Sequence, residues 1–302
     1  MKYRITHSTI YHYSQPVGLC QNEARLQPRN VAYQRCEHSH FDINPKPLDL
    51  RERTDFFGNR VAYFAIQQAH TQLVVTAISD VTVLPKPNRP EQFSAISWEQ
   101  VQTWLRETPL SGSGQQAEFS PELFEARQYV LDSPMIPISP DVAQYAQASF
   151  VPNRPLVEVV HNLMGRIFND FTYDPSFTTI ATPLADVLKF RRGVCQDFAH
   201  LGIACLRAYG LAARYISGYV ETLPEPGKAR LVGADASHAW FSVYIPDTGW
   251  LDFDPTNNTM PLEQHITLAW GRDFADVTPL KGIAFGGGQH TLTVSVDVLR
   301  LD

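Results

Sequence analysis

The sequence has no long apolar run and no excess of basic residues. No stretch approaches the ~20 consecutive apolar residues of a transmembrane helix, and the N-terminal residues 1–7 lack the apolar core of a signal peptide. The net charge of −6 over 302 residues gives no general attraction to nucleic acid or to an anionic membrane. The pair Arg191-Arg192 is too short to form a basic patch. We therefore expect a cytoplasmic protein that binds neither nucleic acid nor membrane.

Cysteine is also scarce. Four widely spaced cysteines indicate neither a disulfide framework nor a paired zinc motif. Cys36, His38 and His40 alternate along a predicted strand and would lie on one of its faces. Three donors without an obvious fourth do not indicate a zinc site, so we interpret them as part of an exposed polar strand. The sequence predicts no metal and no cofactor.

The chain divides into a β-rich first part and a mixed second part. The first third contains short runs of β-branched and aromatic residues typical of strands. A proline cluster at 85–90 cannot continue a sheet and is the best candidate boundary. We therefore predict a β-rich N-terminal domain over 1–88 and a second domain over 89–302.

The second domain shows helical spacing first and strand alternation later. Helices are predicted between 97 and 170, with a capping box at Ser97 and a proline start at Pro121 that Ser120 would cap. A helix from Cys195 to Tyr209 follows, ended by Gly210. Strands then run to residue 302, where alternating apolar residues at 292–298 predict a closing strand of this domain. One helix packed on an antiparallel sheet is an α+β arrangement.

Three short motifs carry the chemistry. Cys195 stands where the turn at 193–194 leads into a helix, and His238 and Asp254 follow on predicted strands. A helix N-terminus stabilises a thiolate through its dipole and free N–H groups, and a nearby imidazolium adds to that effect. A carboxylate then orients the imidazole. These residues have the parts of a cysteine acyl-transfer site: Cys195 as nucleophile, His238 as base and Asp254 as orienting acid.

The strand pattern predicts how the histidine and the aspartate meet. Odd-numbered residues of 239–245 and 251–253 are apolar and should face the core, which places His238, Asp252 and Asp254 on the other face. A loop centred on Pro246 would set Asp254 directly opposite His238. Asp252 would need a tighter loop, so Asp254 is preferred and Asp252 is the substitute.

Further candidates surround these three residues. The backbone N–H of Cys195 can stabilise an oxyanion, and Tyr173 or Gln196 could supply the second donor. Trp240 and Trp250 share the face of His238 and would either pack in the core or wall the catalytic cleft. Asp197 and His200 lie in the first turns of the helix that starts at Cys195, where Asp197 would either complement the helix dipole or contact the substrate. No chemical role is assigned to Arg272 and Asp273.

The motifs resemble those of the bacterial transglutaminase-like family. The resemblance rests on GVCQDF at 193–198, HAW at 238–240 and GWLDFDPT at 249–256, in the same order, and extends to 271–277 and the glycines at 286–288. The first 85 residues resemble the N-terminal region common in these proteins. The resemblance implies a papain-like fold, a transglutaminase-type core at 155–256, and the Cys195, His238 and Asp254 triad.

The reaction itself stays open between hydrolysis and transfer. We favour a protease or amidase that acts on peptide, isopeptide or other amide bonds of a peptide or protein through a thioester. The alternatives are a protein-glutamine acyltransferase, which differs only in the acceptor, and a non-catalytic binding module on the same fold. Retention of all three triad residues argues against the last. Neither the oligomeric state nor the role of the N-terminal domain can be predicted from the sequence.

Overall fold

A computed structural model describes residues 1–87, 93–107, 121–179, 181–221 and 237–301. Residues 88–90 of the proline cluster and Ser120, the expected cap of the helix at Pro121, lie outside these ranges. The division of the chain into two independent domains therefore stays a prediction.

The larger sheet is antiparallel and is built around one long strand. Its strands are β1 (Lys2–Ala24), β2 (Gln34–Asn44), β3 (Asp49–Thr54), β4 (Arg60–Ile66), β5 (His70–Val83), β12 (Leu280–Gly286) and β13 (His290–Arg300). Their order is β2-β5-β1-β4-β3, and β12 and β13 also pair with β1. The predicted turn at 55–59 joins β3 to β4.

The strands β12 and β13 belong to this sheet and not to the sheet that carries His238. β13 pairs with β1 in the register that sets Val298 opposite Ile5, and β12 pairs with the far end of β1. Only part of the predicted alternation is buried: Val296 and Val298 are covered, whereas Leu292 and Val294 are about half exposed. The assignment of the closing strands to the second domain is wrong, because their partner is the first strand of the chain.

A second antiparallel sheet of four strands holds the motif residues. The strands are β8 (Ala213–Val220), β9 (Ser237–Ile245), β10 (Gly249–Phe253) and β11 (His265–Gly271). Their order is β10-β9-β8-β11. The odd-numbered residues of β9 and β10 pack into the core as predicted, and the even-numbered residues form the opposite face.

Six helices lie in the described part of the chain, and the last of them packs against the apolar face of the second sheet. Ser97 caps the first helix through the predicted capping box, and the apolar stripe of the fourth helix is buried. The helices are α1 (Trp98–Arg106), α2 (Pro121–Arg127), α3 (Pro140–Ala146), α4 (Leu156–Asp170), α5 (Leu184–Phe190) and α6 (Cys195–Ala208). The architecture is α+β, as the sequence predicted.

Helix α6 packs closely on the second sheet. A Cβ atom at Gly202 would lie 2.5 Å from the ring of Phe241, so the helix approaches β9 more closely than any larger residue permits. Gly210 adopts φ of +69° directly after the helix and ends it. This packing fixes the start of α6, and with it Cys195, against the sheet that carries His238.

Candidate active site

Cys195 is the first residue of α6. The backbone of Val194 is extended, and the Asp197 carboxylate accepts a hydrogen bond from its N–H at 2.8 Å. Burial raises the pKa of Asp197. The short parallel pair β6 (Thr172–Tyr173) and β7 (Arg192–Gly193) precedes the helix. The thiol is free and half-buried, so it meets the helix N-terminus with access from outside.

The strand register brings His238 and Asp254 together, but the two strands are aligned differently from the prediction. β9 and β10 pair with Leu251 opposite Val243 and Phe253 opposite Phe241. Continued by one residue, this register sets Asp254 opposite Trp240, so the predicted position opposite His238 is wrong by two residues. The parity is correct, and residues diagonal across an antiparallel pair still reach each other. His238 Nε2 lies 2.8 Å from Asp254 Oδ2.

Asp254 is a fully buried carboxylate that accepts several hydrogen bonds. Oδ1 accepts from the backbone N–H groups of Thr256 and Asn257. Oδ2 accepts from His238 and, at 2.7 Å, from the side-chain amide of Asn257. Burial opposes ionisation, but the hydrogen bonds from His238 and His265 outweigh it and hold the pKa of Asp254 well below its usual range. The group is therefore a carboxylate at neutral pH and acts only as an acceptor.

His238 is held in its charged form. Burial disfavours the imidazolium, but hydrogen bonds to Asp254 and Cys195 outweigh burial and raise the pKa of His238 to about 10. Because Asp254 occupies Nε2, Nδ1 is the nitrogen that remains for Cys195. The three residues thus form a continuous chain from thiol to imidazole to carboxylate, which is the arrangement that activates a cysteine nucleophile.

A second histidine, His265 at the start of β11, was missed by the sequence reasoning. Its Nε2 lies 3.0 Å from the same oxygen of Asp254, and its side chain is 5% exposed. Burial lowers the pKa of His265 despite the opposing effect of Asp254, so the ring is neutral and Nε2–H donates. The only signal in the sequence is the pair of polar residues, His265 and Thr267, that alternates with apolar ones in β11.

The other residues predicted to belong to the site differ in their surroundings. Tyr173 lies near Cys195 and packs its ring edge against Phe198, 6.4 Å between centroids. Gln196 follows Cys195 on α6 and is half-buried. Trp240 is fully buried and lies beside His238, 6.0 Å between ring centroids, which makes it a packing residue.

Trp250 is not part of this centre. It lies opposite Tyr244, and its ring contacts Tyr129 and the guanidinium of Arg214. Tyr244 lies six positions after His238 in β9, about 20 Å away at the usual rise of a strand. Of the two predicted roles of Trp250, packing agrees with these contacts and walling the cleft beside His238 does not.

Four other polar residues have structural partners. Asp252 forms an ion pair with Lys86 at 2.8 Å and does not contact His238. His200 is buried and accepts a hydrogen bond from the backbone of Phe274, and burial lowers its pKa to about 4. Asp273 accepts from two backbone N–H groups. Arg272 pairs with Asp276.

The predicted shared face of Cys36, His38 and His40 is wrong. The register of β2 shifts between Cys36 and His38. After the shift His38 and His40 are exposed while Cys36 is half-buried on the inner side, because an extra residue in a strand reverses the alternation that follows it.

One group of residues in the described part of the chain has ligand atoms close enough for a metal ion. Nitrogen and oxygen atoms of His238, Asp254 and His265 lie within 4.8 Å of one another, and zinc accepts such donors. Both Nε2 atoms already direct a proton at Asp254, so an ion would replace the hydrogen bonds that orient His238. The arrangement is therefore that of a hydrogen-bonded triad with a supporting histidine.

Comparison with known proteins agrees with this architecture. Residues 3–82 match the bacterial transglutaminase-like N-terminal region, and residues 143–255 match the transglutaminase-like superfamily core. An uncharacterised protein of Mycobacterium tuberculosis is 42% identical over all of this chain and 93% of its own length. The chain belongs to the transglutaminase-like superfamily. The first matched region covers β1 to β5 of the larger sheet, and the second covers α4 to α6 and β8 to β10 around the triad.

One solved structure shares the fold of this chain, and a further relative is similar in part of the sequence. A crystal structure from Cytophaga hutchinsonii, described as a candidate cysteine protease, superposes with a TM-score of 0.72 over 100% of this chain and 91% of that one, at 23% identity. A protein-glutamine gamma-glutamyltransferase of Pseudomonas aeruginosa is 30% identical over 137 residues, which is 41% of this chain and 20% of that protein. None of the helices in the described residues is long and apolar enough to cross a membrane.

Proposed function

We propose that the protein is a cysteine amide hydrolase that cleaves peptide, isopeptide or related amide bonds through Cys195. The observation that carries the proposal is the chain of contacts from Cys195 through His238 to Asp254, with 2.8 Å between the imidazole and the carboxylate. The raised pKa of His238 supports an imidazolium beside the thiol at neutral pH. The cytoplasm, where a thiol stays reduced, is the proposed location.

The reaction follows from the positions of these groups. The Cys195 sulfur attacks the amide carbonyl carbon, and the carbonyl π pair moves to oxygen, where the N–H of Cys195 donates to it. The tetrahedral species collapses, the carbon–nitrogen bond breaks, and His238 gives its proton to the leaving amine. Water then adds to the thioester while His238 takes a proton from it, and the carboxylic acid leaves as Cys195 regains the thiolate. Asp254 keeps the imidazole in the required orientation throughout.

Tyr173 is the proposed second donor to the oxyanion. It stands beside Cys195, and burial together with the nearby Cys195 and Asp197 raises the pKa of its phenol. The hydroxyl thus stays protonated and able to donate. Nothing comparable supports Gln196.

The first test is alkylation of the thiols by iodoacetamide as a function of pH, read by peptide mass spectrometry. Cys205 is the internal control, because it is fully buried and burial raises its pKa to about 12. We expect rapid labelling of Cys195 below pH 7 that is lost in His238→Ala, with no labelling of Cys205. Labelling that rises only near an ordinary thiol pKa of ~8.5 would contradict the proposal.

A second candidate activity is acyl transfer to an amine, which the similarity to the Pseudomonas aeruginosa transferase favours. Both reactions share the thioester and differ in the acceptor. Peptide amide substrates should therefore be incubated with and without a primary amine and the products analysed by mass spectrometry. Carboxylic acid as the main product in the presence of amine supports hydrolysis, whereas a dominant amine adduct supports transfer. Cys195→Ala should abolish either product and keep the folded state.

A further inference from the structure

A large cavity lies on the face of the second sheet opposite α6. Its volume is about 860 Å³, within the range of small-molecule sites. Strands β8, β10 and β11 contribute one wall, and the turn before β2 and helix α2 contribute to the others. Cys195 does not line it. Its lining includes Arg214, Trp250, Trp270, Lys86, Asp252 and His265.

Arg214 is a buried cation whose Nε is unpaired within the described part of the chain. It is 7% exposed. Its guanidinium carbon lies 4.2 Å from the ring centre of Trp250 and 3.8 Å from that of Trp270, so the planar group is held between two indoles. Burial lowers its pKa to about 10, and it remains charged at neutral pH.

Arg207 shows how this protein satisfies a buried arginine whose role is structural. It is 2% exposed and donates hydrogen bonds to the carbonyl oxygens of Tyr129, Ala213 and Arg272 and to the hydroxyl of Ser133. Arg214 is buried to a similar degree and has none of these bonds. A buried charge is costly unless it is paired or hydrogen-bonded, and stacking on aromatic rings compensates only in part.

The charges around the cavity restrict what can pair with Arg214. The nearby carboxylate of Asp252 is already paired with Lys86. Glu122, Glu125 and Asp247 also line the wall and disfavour a ligand with more than one negative charge. A guanidinium offers parallel N–H donors that match a carboxylate, and the indoles provide an apolar surface beside it.

We infer that this cavity binds a small monocarboxylate with an apolar substituent, and that Arg214 pairs with the carboxylate group. The site is separate from Cys195 and the inference does not rest on the proposed amide hydrolysis. His265, which donates to Asp254, also lines the cavity, so the carboxylate site and the triad share one side chain.

The test compares an acid with its neutral amide on the wild-type protein. Isothermal titration calorimetry at pH 7 with 3-phenylpropionate and 3-phenylpropionamide isolates the charge, because the two probes have nearly the same shape. We expect the acid to bind about tenfold or more tightly than the amide. Equal affinities, or no binding of the acid up to about 10 mM, would overturn the inference.

Two variants locate the binding. Arg214→Gln should weaken binding of the acid about tenfold or more, whereas Arg35→Gln, at an exposed arginine with 78% side-chain exposure, should bind it as the wild type does. Unchanged binding by a folded Arg214→Gln variant would refute the site. If that variant does not fold, a crystal of the wild-type protein soaked with the acid decides, since density bonded to Arg214 supports the site and density elsewhere alone refutes it.

Discussion

His265 donates a hydrogen bond to the same carboxylate oxygen of Asp254 that accepts from His238. The two distances are 3.0 and 2.8 Å, and the two imidazoles differ in charge. His238 is held protonated by Asp254 and Cys195, whereas burial keeps His265 neutral. Asp254 is thus fixed by a neutral donor on one side, which leaves its charge available to the imidazolium on the other.

Replacing this donor should impair catalysis and change its pH dependence. We expect His265→Leu to lower kcat about tenfold with little change in KM, as losses of outer-shell support do. The hydrogen bond from His265 helps hold down the pKa of Asp254, so the acidic limb of the pH–rate profile should move to higher pH. His265→Gln, which can keep an N–H donor, should restore most of the rate. A Leu variant with only a lower Tm and an unchanged profile would show a purely structural role.

Asp252 in β10 and Asp254, which follows that strand on the same face, should differ in the effect of replacement by asparagine on activity. Asp254→Asn removes the charge beside His238 and should lower kcat/KM by about 10²–10⁴. Asp252→Asn is the matched control, because Asp252 pairs with Lys86 and does not contact the triad. We expect the control to keep activity within a few-fold and to lose some stability. Steady-state kinetics on a peptide amide, with circular dichroism for folding, separates the two effects; comparable losses in both variants would contradict the assignment.

The stability of the protein should depend on the proton of His238. Because the folded-state pKa of His238 is raised to about 10, the stabilisation is fully present below the unfolded pKa of ~6.5 and is lost as the pH rises towards 10. We expect the difference in unfolding free energy between wild type and His238→Gln to shrink by roughly 1–3 kcal/mol over this range. Urea unfolding at several pH values measures it. A difference that stays constant, or grows with pH, would contradict the raised pKa.

Gly218 supports the site from the neighbouring strand. It lies opposite His238, and a Cβ atom there would be 2.4 Å from the Trp240 ring and 2.3 Å from the carbonyl oxygen of Ile266. Gly218→Ala should therefore displace the ring beside His238, lower stability by about 1–3 kcal/mol and reduce activity. Gly18→Ala in β1 is the control, because a Cβ atom at that position would meet no other atom within 4 Å in the described part of the chain. Thermal unfolding and kinetics of both variants test this; equal behaviour would exclude the steric argument.

Tyr173 and Gln196 can be distinguished as oxyanion donors. We expect Tyr173→Phe to lower kcat about 10–100-fold with a small effect on KM, because a donor to the oxyanion acts in the transition state. Gln196→Ala should change kcat only a few-fold. Single-turnover acylation of a chromogenic ester or amide gives the relevant rate. The reverse order of effects would assign the donor to Gln196.

Local patterns in the sequence were sufficient to predict several features of the secondary structure. Helical spacing and a capping box placed α1 and α4, strand alternation set the parity of β9 and β10, and the glycine at 210 ended α6. The positions of Cys195, His238 and Asp254 at element ends also follow from the sequence. These features depend on neighbours within a few residues, where periodicity and capping chemistry act.

Other features depend on contacts between distant parts of the chain, which only the tertiary structure decides. The register of β9 and β10 follows from a turn one residue later than expected, and a bulge in β2 separates Cys36 from His38. The last two strands pair with the first, and His265 reaches Asp254 because β11 lies beside β8 and not beside β9. Amphipathic alternation specifies which face of a strand is buried, but it does not specify which strand lies alongside. The candidate nucleophile and base could therefore be proposed from local chemistry, whereas the second histidine and the cavity around Arg214 follow from packing between distant segments of the described chain.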